Sequence, residues 1–415
     1  MPSTLTFPTR ISFEDARAIV DRVAAEHRTG IQRVALSRAH AHVLAQDVVA
    51  MLAQPPFDNS AMDGFALRHA DLATAAAHDD PVALTLVAEQ FAGTALDIRI
   101  AAGQCARITT GAPLPAGADT VVMKEHTRSD GDRVQIVTTP EFGQHVRHAG
   151  EDVRIGDRLL HAGELLTPSR IALAASQGLS ELAVARRPTV AVFTTGDELV
   201  EPGLPLAHGQ IYNSNREQLM GLLRADGLEP TAWPTLPDDP AQVASALRHA
   251  GHAFDVVITC GAVSAGEKDH IPALLQAEGR VQFWRVRMRP GMPLLLADGG
   301  AFGDALFLCL PGNPVSVLAT YLTLGRGLFD GLQGRTAARA RWNAQLTNAW
   351  HKSHDRLEFL RGRLHSRDDG MLEVEPNPAD GSHRMRAAAD SDALIVLPEG
   401  QADYPAGSIV EVLTY

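Results

Sequence analysis

Three glycine-bearing loops, each directly behind a short apolar run, hold most of the residues able to do chemistry in this 415-residue chain. Thr194-Thr-Gly-Asp-Glu-Leu199 follows residues 190–193, Thr259-Cys-Gly-Ala-Val-Ser-Ala-Gly-Glu-Lys-Asp269 follows 256–258, and Leu310-Pro-Gly-Asn-Pro-Val-Ser316 follows 305–310. Glycine lets a backbone come close to a ligand, and the free N–H groups of a helix start attract anions. Gly196, Ser264, Gly266, Pro311, Gly312 and Pro314 are the residues of these loops placed to meet such a ligand. Glu198 and Asp269 bring carboxylates, and Asp238 opens another connection. Mg²⁺ takes one or two carboxylates together with phosphate and water, so the set suits a hard cation at a phosphorylated molecule. Taken singly, Glu198 also reads as a cap for the turn behind its strand, and His270 as the opening residue of a helix rather than a metal ligand.

Arg285 and Arg289 lie in one extended segment, and strict alternation puts both on one face. Guanidinium forks match phosphate-like oxygens, which makes the pair an oxyanion site; a solvated strand face is the other reading. In Pro311-Gly-Asn-Pro314, Asn313 reads as a helix cap and Pro314 as the first helical residue. Three earlier stretches are dense in polar residues and turns: Pro55-Pro-Phe-Asp-Asn-Ser-Ala-Met-Asp-Gly-Phe65, Arg107-Ile-Thr-Thr-Gly-Ala-Pro113, and Arg147 with Gly150-Glu-Asp152. Residue chemistry alone leaves these three open between turn clusters and functional loops.

The elements that must carry these loops follow from periodicity. Ser12-Phe-Glu-Asp15 opens a helix with Ala16, Ile19, Val20 and Val23 at helical spacing, and a second helix is expected over 38–45. Residues from about 80 to 138 alternate apolar and polar positions between Gly, Pro and Asp-Gly turns, as in a β insertion. Residues 166–178 look helical, with Thr167 as cap, Pro168 in the first turn and Gly178 at the end. From 188 to about 330 the period switches repeatedly. Strands are expected at 189–195, 229–236, 255–260, 281–288 and 305–310, and helices at 215–226, 240–251, 270–278 and 314–329. That alternation predicts an open, doubly wound α/β sheet, whose strand ends form a crevice for a phosphorylated ligand. Short strands at 357–363, 371–375, 393–397 and 408–413 predict a small barrel or sandwich at the C-terminus.

A chain of this length exceeds one ordinary core and predicts several domains. The net charge of −12 argues against nucleic acid as a partner while leaving room for a local basic site. No run approaches the roughly 18–20 apolar residues of a membrane span, and the first residues lack a basic segment followed by an apolar one. Cys105, Cys260 and Cys309 are far apart and odd in number, as expected of reduced thiols in a cytoplasmic protein. Cys260 and Cys309 read as small buried residues at strand ends.

The ordered motifs carry a resemblance. Pro56-Phe-Asp-Asn-Ser-Ala-Met-Asp-Gly64, Thr110-Gly-Ala-Pro113, Gly150-Glu-Asp152, Thr195-Gly-Asp-Glu-Leu199, Gly266-Glu-Lys-Asp269 and Leu310-Pro-Gly-Asn-Pro-Val-Ser316 occur in the order seen in the MoeA/gephyrin family of molybdopterin molybdenumtransferases, over nearly the whole chain. The resemblance implies a multidomain α/β protein: a split elongated helical domain at 1–53 and 147–184, a β-rich insertion at 54–146, a molybdopterin-binding α/β domain at 185–330 and a C-terminal β domain at 331–415. It implies adenylyl-molybdopterin and molybdate as substrates, Mg²⁺ as cofactor, and release of AMP as molybdenum passes to the dithiolene sulfurs. It further implies a homodimer with a composite active site, and, as other partners, a molybdopterin adenylyltransferase and recipient molybdoenzymes.

Carried over position by position, Glu198, Asp238 and Asp269 handle metal and pyrophosphate. Asp58 and Thr110 come across the dimer interface, supported by Arg147 and Asp152. Arg361 and Ser382 match positions associated with molybdate. Arg285 and Arg289 stand where the family is expected to have lysine, and Met292 where lysine is frequent. Gly261-Ala262-Val-Ser264 departs from a usual Gly-Gly-Val-Ser, and Ala265 from a larger apolar residue. Should position 262 need positive φ or close ligand approach, its methyl group would weaken binding. An adenylyltransferase acting on molybdopterin, and a non-catalytic cofactor carrier or scaffold, are the alternative readings.

Overall fold

A computed structural model describes residues 7–72, 82–94, 96–264, 266 and 269–415. The described residues fall into two compact units. One comprises the chain up to Gln46, Ala162–Ile171 and Ser180–Tyr415; the other comprises Asp47–His161 and Ala172–Leu179.

The first unit is built on a seven-stranded sheet in the order Thr9–Ile11, Arg280–Val286, Leu295–Asp298, Leu306–Leu310, Val256–Cys260, Val190–Thr194, Pro230–Ala232. The last four of these strands run parallel, and Leu295–Asp298 is antiparallel to both its neighbours. Alternation within the parallel strands explains why the sequence reads as near-continuous apolar runs. Val190 and Val192 turn to one core with helices Phe13–Glu26 and Ser214–Ala225 and the region after Pro314, while Ala191 and Phe193 turn to another with Pro240–Ala253 and His270–Glu278. Both faces are covered, so the sheet is doubly wound. Pro230–Ala232 occupies an edge, where its proline costs no ladder hydrogen bond.

Helix starts follow the sequence signals. The Ser12 hydroxyl accepts the Asp15 N–H at 3.0 Å, and Asp239 accepts the N–H groups of Ala241 and Gln242 with Pro240 in the first turn. Three expectations are corrected. No helix forms over 38–45: a short turn at Leu36–Arg38 leads to Ala41 at φ 58°, and Val43 and Leu44 make β-bridges to Leu165 and Val184. Their apolar side chains are buried by strand-like pairing, which overrides the helical spacing. The 314–329 helix is interrupted, with Pro314–Thr320 and Arg326–Leu332 joined by a π-helical turn at Tyr321–Gly325. The 281–288 strand ends at Val286, because Arg285 has φ 69°; Met288–Arg289 then pairs with Leu357–Ser366 in a different sheet. Alternation does not cross that turn, so Arg285 and Arg289 do not share a face.

At the C-terminus, Leu357–Ser366, Leu372–Pro376, Trp342–Leu346, Ile409–Thr414 and Ala393–Leu397 close on themselves, since the first also pairs with the last. The result is a small barrel without free edges. The second unit contains a six-stranded sheet in the order Thr120–Met123, Gly64–Leu67, Gln104–Ile108, Ala83–Gln90, Arg133–Ile136, Thr127–Asp130, the β insertion read from the alternation. Among the described residues no helix is long and apolar enough to cross a membrane.

One buried carboxylate ties the first unit's helices together. Asp226, with a side chain 5% exposed, accepts the Tyr321 hydroxyl at 2.8 Å, Arg326 Nε at 2.9 Å and Arg339 Nη1 at 2.9 Å. Burial, reinforced by Asp226, pushes the Tyr321 pKa up, so its hydroxyl keeps the proton it donates. Asp226→Ala leaves the largely buried Arg326 without its ion-pair partner and Arg339 with Asp330 alone, and should cost about 3 kcal/mol, against about 1 kcal/mol for Tyr321→Phe. Chemical unfolding of the two variants checks the order, and equal losses would show that the arginines do not depend on Asp226.

Candidate functional site

The carboxyl ends of the parallel strands open into a hollow of about 460 Å³. Its lining includes Gly196, Glu198, Asp238, Ser264, Asp269, Pro311, Gly312 and Pro314, so the strand-end loops singled out in the sequence do meet. The loops bind one another directly: Thr195 N–H donates to the Cys260 carbonyl at 3.1 Å, and Gly261 N–H to that of Leu310 at 3.1 Å. Gly261 has φ 99°, and a Cβ there would lie 2.7 Å from Thr195 Oγ1. Only glycine permits that approach. Asp269 stands at the N-terminus of His270–Glu278 but does not cap it; its Oδ2 accepts the Gly266 N–H at 2.9 Å and folds the loop. Asp197 Oδ1 accepts the Asp238 N–H at 3.1 Å, joining the first loop to the one that opens at Asp238. Ala265, Glu267 and Lys268 lie outside the described residues.

Among the described residues no three His, Cys, Asp or Glu side chains are grouped as a metal cage. Glu198, Asp238 and Asp269 share a wall-lining role without forming one cluster. Their oxygen-only chemistry fits a hard cation that takes one or two protein carboxylates and completes its shell from a phosphorylated ligand.

Several lining residues escaped the sequence reading. Thr195 is nearly buried, and its hydroxyl has no partner in the described residues. Asn215 donates to the Gly312 carbonyl at 2.6 Å, while its own oxygen is unpartnered. His383 reaches the hollow from a distant part of the sequence. Thr195 was visible inside its loop; Asn215 and His383 carried no local signal.

Arg285, Arg289, Arg361 and Ser382 are not among the residues lining this hollow. Arg285 stacks on Trp284 with its guanidinium carbon 4.4 Å from the ring centroid, and the Trp284 indole donates to the Val263 carbonyl at 3.0 Å. Arg289 forms an ion pair with Asp380 at 2.8 Å. Arg361 is 1% exposed and donates to the Ala379 carbonyl. The Ser382 hydroxyl accepts the Asn313 amide at 2.8 Å, so Asn313 spends its side chain there instead of capping its helix. A larger hollow, about 890 Å³, lies elsewhere in this unit and is lined by Arg326, Arg335 and Arg339, whose guanidinium groups pair with Asp226 or Asp330. These three guanidinium groups are spent on internal pairs and none of the strand-end loops lines this hollow, which makes the strand-end hollow the better candidate.

In the second unit the three ambiguous stretches converge. Asn59–Ser60 pairs with Val146–Arg147, Gly111 N–H donates to the Ser60 carbonyl at 2.8 Å, and Asp58 Oδ1 accepts the Ala149 N–H at 2.7 Å. Asp152 N–H donates to the Gln54 carbonyl at 3.0 Å. Thr110 donates both its N–H and its hydroxyl to Asp63, at 2.8 and 2.9 Å. Those bonds, the backbone one first, lower the Asp63 pKa. Asp63 was quoted in its motif but not singled out.

A family model of the MoeA N-terminal region, domains I and II, matches residues 11–178; a probable molybdopterin-binding domain matches 191–330, and the MoeA C-terminal region, domain IV, matches 343–415. A molybdopterin molybdenumtransferase of Haemophilus influenzae is 36% identical over 380 residues, covering 91% of this chain and 92% of that protein. The chain belongs to the MoeA family. A molybdopterin molybdenumtransferase of Nostoc sp. is 37% identical over 391 residues, covering 92% of this chain and 88% of that protein. The crystal structure of a molybdopterin biosynthesis MoeA protein from Pyrococcus horikoshii OT3 aligns with a TM-score of 0.81 at 25% identity, over 98% of this chain and 100% of that one.

Within this MoeA-family site, Ala262 lines the hollow at φ 51°. The condition set by the sequence is therefore met: a methyl group occupies a left-handed position that glycine takes without strain. Ala262→Gly should change stability little, because relief of about 1 kcal/mol of strain is offset by the greater freedom of glycine in the unfolded chain. Ala262→Val should cost about 2 kcal/mol, since a β-branched residue resists that backbone more strongly. Thermal unfolding of both variants measures this, and an unaltered valine variant would mean the loop is not constrained there.

Cys260 lies at the edge of the hollow, and Cys105 and Cys309 are fully buried. Burial pushes all three thiols up to about 12. The raised values favour the neutral thiol, so none supplies a nucleophile at neutral pH. An aromatic disulfide reagent at pH 8 should titrate no thiol in the folded protein and all three cysteines after denaturation. A fast-reacting native thiol would contradict the packing.

Proposed function

We propose that this MoeA-family protein is a molybdopterin molybdenumtransferase of molybdenum cofactor biosynthesis, acting in the cytoplasm on adenylyl-molybdopterin and molybdate and releasing AMP. One observation carries the reading: Glu198, Asp238 and Asp269 line the same strand-end hollow as the anion-type loop Pro311–Pro314, whose Asn313 is bonded to Ser382. The names of the relatives and the nearly full-length match support it. The pyrophosphate of the adenylate would lie along the loops at Gly196, Ala262 and Gly312, where backbone can approach closely, although the Gly196 and Gly261 N–H groups are already bonded to the Leu236 and Leu310 carbonyls. Glu198 or Asp269, with Asp238 near, would hold Mg²⁺ against that pyrophosphate. A bound Mg²⁺ would neutralise the charge developing on the AMP leaving group. The loop residues themselves would orient the anhydride between the carboxylates that line the hollow. Molybdate is a tetrahedral dianion, and the reading assigns it to Arg289, Arg361 and Ser382, with Arg285 supporting the Val263 wall through Trp284.

The direct experiment incubates the purified protein with adenylyl-molybdopterin, molybdate and Mg²⁺ and follows AMP. Release above background is expected, together with a fall of roughly 100-fold in turnover for Asp269→Asn with fold intact. Full activity of that variant would remove Asp269 from the reaction.

We also infer that the protein works as a homodimer in which Asp58, Thr110, Arg147 and Asp152 serve the site of a second copy. The dense self-bonded loops that carry them, distinct from the hollow's own unit, support this division. Inactive Asp58→Asn and Asp269→Asn proteins, mixed and allowed to exchange, should regain roughly a quarter of wild-type activity, because half the pairs are mixed and each has one intact site. No recovery, with exchange demonstrated, would restrict each site to one chain.

A further inference from the structure

The segment Asn377-Pro-Ala-Asp-Gly-Ser-His383 joins the strand-end hollow to the buried arginines. At one end the Ser382 carbonyl accepts the Val315 N–H at 3.1 Å, its hydroxyl accepts the Asn313 amide at 2.8 Å, and His383 lines the hollow. At the other end the Ala379 carbonyl accepts from Arg361, and Asp380 Oδ2 accepts from Arg289 Nη2 at 2.8 Å. Arg361 is 1% exposed and its Nε has no hydrogen-bond partner among the described residues. Burial lowers the Arg361 pKa; Asp380, Tyr415 and Glu358 oppose that, and Arg289 adds to it, so these charges all act on the same spot.

Two carboxylates pair with Arg289, and they are not equivalent. Glu358 is 4% exposed in its side chain, is 3.8 Å from Arg289, and is held by the Trp350 indole at 3.4 Å with His354 beside it at 3.4 Å. Asp380 is 45% exposed and has solvent to turn into. A dianion entering here finds Arg289 already paired, and of its two carboxylates Asp380 is the one with solvent to leave into.

We propose that Asp380 is a stand-in anion: it occupies the Arg289 fork in the empty site and yields it to a tetrahedral oxyanion such as molybdate. Asp380 is thus a positioning residue that sets the threshold for oxyanion entry. The inference rests on the assignment of the oxyanion to Arg289, Arg361 and Ser382. A side chain that merely braces the fold or orients Arg289 for the anion would act with the opposite sign.

Calorimetric titration of the full-length protein with sodium molybdate tests it. Asp380→Asn removes both the competitor and its repulsion of the dianion, so binding should tighten about three- to tenfold. Asp380→Glu keeps the charge and should bind like the wild type. In an Arg289→Ala background, most of the gain from Asp380→Asn should vanish, and it is the gain itself, a tightening rather than a loss, that a bracing or orienting role would not produce. Equal or weaker binding by Asp380→Asn, while Arg289→Ala still weakens binding, overturns the inference and leaves the functional reading standing. Molybdate that does not bind the wild type, or binds unchanged after Arg289→Ala, overturns the oxyanion assignment and the inference together.

Discussion

The site exists because three parallel strands end level with one another. Val190–Thr194, Val256–Cys260 and Leu306–Leu310 pair residue for residue, from Val190 with Val256 and Leu306 to Thr194 with Cys260 and Leu310. Each strand is buried on both faces, so a slip by one residue would exchange the two cores, placing Val192 where Phe193 belongs. With the register fixed, the loops after these strands have no freedom to separate. Their backbone groups cannot continue the ladder, and they satisfy one another instead, as Thr195 does with Cys260 and Gly261 with Leu310. The hollow is what remains between loops that are already bonded at their roots.

That closeness explains the residue types better than chemistry alone. A methyl group at Gly261 would collide with Thr195, and Gly196 has φ 140°, a backbone that residues with side chains rarely adopt. These glycines are required by the loop backbone whether or not a ligand is present. Ala262 is different, since it tolerates its left-handed backbone at a cost and presents its methyl group in the hollow. Strain retained at such a place is the usual mark of a functional constraint, because a glycine would have relieved it. The same reasoning separates the two arginines. Arg285 takes positive φ and spends its guanidinium on Trp284, whereas Arg289 lies on the short strand paired with Leu357–Ser366 and spends its charge on Asp380.

Much of this was legible in the chain. Ser12, Asp239, Pro240 and Pro314 marked helix starts that exist, because capping is local chemistry. The parallel strands were legible as short apolar runs, and Thr195, Gly261 and Pro311, the residues just past the strands Val190–Thr194, Val256–Cys260 and Leu306–Leu310, line the hollow. What failed was whatever depended on partners far away in sequence. Residues 38–45 carried helical spacing, yet Val43 and Leu44 were claimed by bridges to Leu165 and Val184. Asn313 looked like a cap and was claimed by Ser382. Arg285 and Arg289 alternated on paper, but the strand between them changes sheets. His383 and Asp380 had no local signature at all, since their role comes from a barrel loop meeting the α/β strand ends.

Charge closes the account. A chain with net charge −12 must gather positive potential locally if it is to hold an oxyanion, and long-range attraction cannot do it. Burying an arginine supplies that potential only when a counter-charge keeps the empty protein from bearing the full desolvation penalty. Arg361 is buried nearly completely and Arg289 partly, and Glu358 and Asp380 supply the balance. A site built this way already holds carboxylates on its Arg289 before its ligand arrives. The acids next to the arginines are therefore a consequence of the same requirement that put the arginines there, and the more exposed of the two is the one that a competing anion can replace.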